Sequence, residues 1–221
     1  MQLNTSYMLD IVPLLNRAAI MTARLTFFGV LIALAVGVVG NIVYYYRIPV
    51  LSAFFAFYTE LSRNTPIIAQ LFFLFFGLPA LGITLSGFVC GVIALGFLGG
   101  SYMLEAMRGG IEAVSHSQKE TAASLGLSKS RILWHIIAPQ AIRTSLPAIA
   151  ANTIFLLRES SLIGVIAVPE LMHVARSQIG MFFRTNEVLI MITLYYLLLI
   201  GPLSLVFMAL ERKLRLGGVK G

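Results

Sequence analysis

The sequence predicts an all-α integral membrane protein of about five transmembrane helices, with one large polar loop between the third and the fourth. Three observations carry this. Of 221 residues, 58% are hydrophobic and 11% are charged, against about 25% charged in soluble domains. The apolar residues fall in long runs, several of them near the roughly 20 residues that a helix needs to cross a bilayer. The polar residues are gathered in one place: residues 105 to 147 hold Glu105, Arg108, Glu112, Lys119, Glu120, Lys129, Arg131 and Arg143.

The whole chain, 1–221, reads as a single transmembrane domain. Residues 1–17 mix polar and apolar positions and suggest an amphipathic or loosely ordered lead-in. Asp10, Pro13, Arg17 and Arg24 interrupt it too early for a cleavable signal sequence. The first span covers about 22–46. It is uncharged from Leu25 to Tyr46 and ends in Tyr44, Tyr45 and Tyr46 beside Arg47, as interfacial aromatics and snorkelling cations do. Pro49 opens the second span, about 50–76. A turn at Gly77 to Gly82 must follow, because Asn64 to Leu104 carries no charge over 41 residues, enough for two crossings. The third span is about 84–107.

The polar loop, about 109–142, reads as two short helices. Gln118 to Leu125 is rich in helix formers, with Ala122, Ala123 and Leu125 as an apolar face. Gly126 suits a helix C-terminus that turns left-handed. Ser128 suits the N-cap of the next helix, and Ile132, Leu133, Ile136 and Ile137 follow at helical spacing until Pro139 ends or kinks the run. The fourth span is about 144–168. A connector, 169–186, carries Glu170, His173, Arg176 and Arg184. The fifth span is about 188–211, followed by a tail with Arg212, Lys213, Arg215 and Lys220.

Five crossings put the termini on opposite sides. Ten basic residues then fall on the side of Arg47, the loop and the tail, and four on the side of Arg17, Arg24, Arg176 and Arg184. The excess marks the cytoplasm, so the N-terminus is expected outside and the loop and C-terminus inside. The net charge of +7 reflects this asymmetry. No basic patch interleaved with aromatics is present in a soluble domain, so no nucleic-acid partner is expected. The single cysteine, Cys90, offers neither a disulfide nor a cysteine metal site. There is no phosphate-binding Gly-x4-Gly-Lys-Ser/Thr loop and no His-Glu-x-x-His. Gly100-Ser101 lacks the second glycine of a serine-hydrolase elbow, Met103 standing there. No catalytic or metal-binding residue is expected in this chain.

Two predicted spans carry charge at depth, which costs roughly 2.5 to 3.5 kcal/mol per group on insertion scales. The second has Glu60, Arg63, Asn64 and Thr65 before Pro66; the fourth has Arg158, Glu159, Ser160 and Ser161. Glu60, Arg63 and Asn64 share one helix face. Pro66 removes a backbone donor and crowds the Ser62 carbonyl, a break tolerated where it lines a cavity. Two readings stand. The charges are structural ion pairs, Glu60 with Arg63 or Arg63 with Glu159. Or they line a midplane path in which Arg63 or Arg158 meets a carboxylate and Glu60 or Glu159 meets an ammonium.

Within the loop, Glu120-Thr121-Ala122, then Gly126, then Ile136 to Pro139 resembles the EAA loop of the permease subunits of ATP-binding-cassette (ABC) importers. Thr121 and Ala138 depart from the family pattern by small or apolar exchanges. Arg63-Asn64-Thr65-Pro66, Arg108-Gly109-Gly110-Ile111 and Leu157-Arg158-Glu159-Ser160-Ser161-Leu162 resemble the polar amino-acid permeases, and the likeness runs over about residues 17 to 212. The resemblance implies a permease of the bacterial inner membrane, with ATP and Mg bound by a separate ATPase. It implies a second permease subunit, identical or similar, and an extracytoplasmic substrate-binding protein. It also implies that Glu120, Thr121, Ala122, Ala123 and Gly126 form a coupling helix docked on the ATPase. The alternatives are an ATP-independent secondary transporter or channel that uses the buried charges for ion coupling, and a non-transporting scaffold.

Overall fold

The computed structural model describes residues 3 to 216, and among these all regular structure is helical. Helix α1 (Thr5–Asp10) leads into α2 (Val12–Tyr46), α3 (Pro49–Asn64), α4 (Ile67–Phe72) and α5 (Gly87–Glu112). The polar loop carries α6 (His116–Ser124) and α7 (Lys129–Ile132). Then come α8 (Ala138–Glu159), α9 (Leu171–Phe182) and α10 (Thr185–Leu216). Four helical stretches are long and apolar enough to cross a membrane, and five if the bent pair α3–α4 counts as one.

Residues 5 to 17 do not form a loose lead-in. Asn4 caps α1 by accepting from Tyr7 N–H, and α2 begins at Val12, ahead of the expected start at 22. The physical reason is burial. Ile11, Leu15 and Ala18 pack against Leu171, Val174 and Ala175 of α9 and Val188 of α10. Arg17 and Arg24 stay exposed on the other side of the helix.

The second span, expected as one helix over 50–76, is broken. The axis turns by 104° between Pro49–Asn64 and Ile67–Leu81. Pro66 cannot donate and disfavours a helical conformation at Thr65, which is extended at φ −114°, ψ 133°. Beyond α4 the chain continues through a π turn (Phe73–Gly77) and a 3₁₀ turn (Leu78–Leu81) to a left-handed Gly82.

Helix α5 occupies the centre, packed on α2, α3, α4 and α8. Without a hydrophobic drive between helices in lipid, association rests on close van der Waals contact and buried hydrogen bonds. Glycines supply the first: a Cβ on Gly29 would lie 2.7 Å from Leu95 Cβ, and one on Gly96 would lie 2.6 Å from Ile32 Cγ2. Asn41 supplies the second, donating from Nδ2 to the carbonyls of Gly37 (2.8 Å) and Leu104 (2.9 Å).

α5 also runs on to Glu112, so the loop expected at 109–142 is shorter than its charges suggest. Arg108 pairs with Glu105 at 2.8 Å on the last helical turns. Nor does Pro139 end the following run. It sits in the first turn of α8, behind a π turn at Leu133–Ile137, and the helical stretch from Lys129 to Ile166 counts as one candidate span of 38 residues. The first turn of a helix has N–H groups without intrahelical partners, so proline costs little there. The connector 169–186 holds α9, and α10 passes its expected end at 211; Lys220 lies outside the described residues.

Gly109 and Gly110 make a matched test of this packing. A Cβ on Gly110 would meet the Ala141 carbonyl oxygen at 2.6 Å and Ser145 Cβ at 2.9 Å, whereas one on Gly109 meets nothing within 4 Å. Gly110→Ala is therefore expected to destabilise by about 1–3 kcal/mol, because backbone cannot step aside. Gly109→Ala should be near neutral. Thermal unfolding of the detergent-purified variants distinguishes the two.

Candidate functional site

The polar loop places its residues as follows. Helix α6 contributes only Ala122 to a small core with Val114, Ile132, Leu133, Ile137 and Ala141. The expected apolar face of Ala122, Ala123 and Leu125 is therefore not one face. Ala122 points in, while Ala123 and Leu125 point out, Leu125 at 76% exposure. Glu120 and Thr121 are exposed too, and Glu120 lies 3.3 Å from His116.

Gly126 has φ +78°, the left-handed turn expected of it. The turn is closed by bonds from Gly126 N–H to Ala123 O and from Leu127 N–H to Ala122 O. The Ser128 side chain accepts from Arg131 N–H and starts α7. Two side chains tie α6 to the membrane helices. Gln140 of α8 donates to Gln118 Oε1 at 3.0 Å, and Lys119 donates to the Ile111 carbonyl at the end of α5 at 3.1 Å.

In the spans, neither anticipated ion pair forms, whether Glu60 with Arg63 or Arg63 with Glu159. The three arginine–carboxylate pairs among the described residues, and the His116–Glu120 contact, lie elsewhere. Asn64 Nδ2 donates to Glu60 Oε2 at 2.8 Å. The Arg63 guanidinium sits 5.3 Å from the centroid of the Tyr102 ring, a cation–π contact of about 0.5–1 kcal/mol at an exposed site. Thr65 donates to the Leu61 carbonyl. Arg158 is exposed, Glu159 is half-buried, and Ser160 is buried with its hydroxyl on the Leu157 carbonyl. The Ser161 carbonyl faces Arg176 of α9 at 3.5 Å. No hydrogen bond or ion pair joins the α3 set to the α8 set. The link is Tyr102 of α5. Its ring meets Arg63 on one side and Phe155 of α8 at 5.2 Å, and its carbonyl accepts from Asn152 Nδ2.

Sequence reasoning missed Tyr102 and Asn152, whose roles arise only from helix packing. It also missed Gln70, for which a signal existed. A side-chain amide four residues beyond Pro66 is placed to serve the carbonyls that the proline strands. Gln70 Nε2 bonds Ser62 O, Thr65 O and Thr65 Oγ1 at 3.1, 3.2 and 2.8 Å. Inside this bend lies a nearly apolar cavity of about 450 Å³ between Leu61, Thr65, Gln70, Phe73, Ile93 and Phe97.

At the end of the bundle opposite α6, Glu170 is fully buried and caps α9, its two oxygens accepting from His173 N–H (2.6 Å) and Met172 N–H (2.8 Å). Burial pushes its carboxyl up to about 7, against the pull of those two bonds and of Arg176.

Geometry of this kind defines a class. A helical membrane protein holds charged side chains along its spans, and a polar helix stands clear of one end on a left-handed glycine. That is the build of a multi-pass helical membrane protein with a polar helix between two of its spans. The family described as "Binding-protein-dependent transport system inner membrane component" matches residues 28–216, and the chain belongs to it. It is therefore a transport subunit of the inner membrane. Similar proteins include the probable glutamine ABC transporter permease GlnM of Bacillus subtilis, 38% identical over 71% of this chain and 73% of the relative. The arginine transport system permease ArtQ of the same species is 31% identical over 97% and 99%. A crystal structure of an amino acid ABC transporter with histidines covers 96% of this chain and all of that one, at TM-score 0.88 and 31% identity. The membrane subunit of the MetNI methionine ABC transporter, at 18% identity and TM-score 0.75, shares the fold.

The raised pKa of Glu170 fixes a sign. An acid whose folded value, about 7, lies above its ordinary value of 4.5 stabilises the fold when protonated; that contribution is full below about 4.5 and is lost as pH rises towards 7. The apparent Tm is expected to fall between pH 5 and pH 7.5, and the fall should shrink in Glu170→Gln, which stays neutral. An unchanged slope in that variant would contradict the assignment.

Proposed function

We propose that this chain is the permease of an ATP-driven importer for a polar amino acid, with α6 as the helix through which a separate ATPase subunit drives it. ATP and Mg belong to that subunit. A second permease, the same chain or a similar one, completes the membrane part, and an extracytoplasmic binding protein delivers the substrate. The amino-acid class is supported by the relatives named for glutamine and arginine and by the likeness to the amino acid transporter structure.

The observation that carries the coupling role is the posture of α6. It buries one residue, Ala122, and leaves Glu120, Thr121, Ala123 and Leu125 outward. Leu125, the outward leucine that caps the end of α6, needs a cover, and a groove on a partner supplies one. The ties from Gln140 and Lys119 then pass any movement of α6 to α8 and α5. Rigid-body motion of α6 moves the spans, and the path alternates between two openings.

The same end of the molecule supports the orientation expected from the charge count. Arg47, Lys119 and Lys129 line one cavity, and Tyr45 donates to the Lys129 carbonyl. The basic side of the charge count thus gathers around α6, which supports a cytoplasmic loop and an outside N-terminus. Exposed Glu60, Arg63 and Arg158 cannot face lipid at tolerable cost. They suit a water-lined path at the junction with the second permease, where a guanidinium meets the substrate carboxylate and Glu60 or Glu159 its ammonium.

The test is uptake of labelled glutamine, arginine and histidine into proteoliposomes holding the full transporter. In Gly126→Val the open space around the residue removes any clash, so only the left-handed backbone is at issue. Uptake is expected to fall at least about tenfold while ATP hydrolysis continues, and Gly126→Asn should retain most of it, because asparagine tolerates this conformation. Wild-type uptake in Gly126→Val would remove the coupling role. Uptake surviving ATP depletion would overturn the importer reading.

A further inference from the structure

At the α6 end, a cavity of about 370 Å³ is lined by Tyr45, Arg47, Lys119, Lys129, Ile132 and Ile137. Three of the six are cations and none is an acid. None of the three forms an ion pair among the described residues. The nearest acids in sequence lie against other groups: Glu112 is 3.9 Å from Arg108, and Glu120, though next to Lys119 in sequence, is 3.3 Å from His116 Nδ1.

Helix ends account for Arg47 and Lys119 one at a time, but not for the convergence of three cations on one cavity. Arg47 takes a left-handed backbone, φ 55°, at the position after α2 where glycine is the unstrained choice. A cation there complements the end of α2, and Lys119 reaches the Ile111 carbonyl at the end of α5 at 3.1 Å, but Lys129 opens α7, where the helix dipole disfavours positive charge. Each also repels the others. Such an arrangement is stabilised by an anion placed among them.

We infer that this cavity binds a phosphate group, supplied by the headgroup of an anionic phospholipid of the surrounding leaflet. The lipid source follows from the surroundings. Arg47 follows directly on Tyr44, Tyr45 and Tyr46, the aromatics that sit at headgroup level. Ile48, Val50 and Leu51, just beyond it, are exposed apolar residues at 40%, 80% and 44%, a surface suited to acyl chains. The floor of Ile132 and Ile137 is buried and apolar, and the Tyr45 hydroxyl is turned away onto the Lys129 carbonyl. Basic pockets between helices at the cytoplasmic side recognise acidic headgroups by this chemistry. The lipid then bridges the end of α2, which is fixed in the bundle, to α6 and α7, which carry the loop. The inference does not depend on the identity of the transported substrate.

The test is native mass spectrometry of the purified full chain with equal phosphatidylglycerol and phosphatidylcholine. The wild type should retain phosphatidylglycerol preferentially. Arg47→Gln/Lys119→Gln/Lys129→Gln should lower that retention about a hundredfold, taking roughly fivefold for each cation. Arg131→Gln/Arg212→Gln/Lys213→Gln, an equal loss of charge outside the cavity, should not. Lys129→Gln alone removes a side chain that makes no hydrogen bond among the described residues, so it keeps the test open if the triple variant fails to fold; a loss of about fivefold is expected. Equal loss in both triple variants would overturn the inference in favour of diffuse charge. Full displacement of phosphatidylglycerol by millimolar inorganic phosphate would assign the cavity to a free anion instead of lipid. Unchanged lipid retention with loss of a co-purifying ATPase subunit would assign the cations to a protein partner and overturn it too.

Discussion

The structure depends first on how closely α2 and α5 approach. In lipid, two apolar helices gain little by merely touching, because acyl chains are as apolar as leucine. The gain comes from interlocking atoms and from polar groups that find partners only in each other. Glycines bring the two backbones together, and the Asn41 amide then reaches the Leu104 carbonyl, a hydrogen bond that wider spacing would forbid. Once α5 is seated on α2, its other faces are committed. Gly91 receives Ile163, Gly99 receives Leu156, and Tyr58 donates to the Phe97 carbonyl. These contacts bring in α3 and the α8 stretch, which take their places around α5.

The bend at Pro66 is the second constraint, and it creates the polar surface. A straight helix from 50 to 76 would have carried Glu60, Arg63 and Asn64 past lipid. The break instead ends α3 at these residues and leads the chain away at 104°. The carbonyls freed at Ser62 and Thr65 are satisfied by a single side chain, Gln70, which makes the break affordable in a dry environment. Arg63 of α3 and Phe155 and Asn152 of α8 then meet Tyr102, and no ion pair joins the charges of the two helices among the described residues.

The helices were legible where physics is local. Charge-free runs marked α5 and α10, and in the loop Gly126 and Ser128 mark the turn between two short helices because their signals are backbone preferences that neighbours seldom override. Hydropathy, however, counts residues and does not see direction, so Asn64 to Leu104 reads as two crossings although its first part is bent. The triplet Asn64-Thr65-Pro66 held that information. Pro139 misled because a π turn before it absorbed the missing donor. The buried start of α2 was hidden by Arg17 and Arg24, whose long side chains reach water while Leu15 and Ala18 face the core. Of the polar path, the charged members could be listed from sequence. Their organiser, Tyr102, could not, since an aromatic in an apolar run looks like any other packing residue.

The central claim is that Arg63 and Arg158, exposed on the single chain, face a water-lined path in the assembled transporter and not lipid. Cysteine accessibility tests it directly. Cys90, the one natural cysteine, is fully buried and serves as an unreactive background. Single cysteines would replace Arg63 and Arg158, and, as lipid-facing references, Phe27 and Leu197, which are 58% and 61% exposed. Labelling with a charged, water-soluble maleimide in permeabilised native membranes should modify positions 63 and 158 and leave 27 and 197 untouched. Equal protection at all four positions would contradict the account.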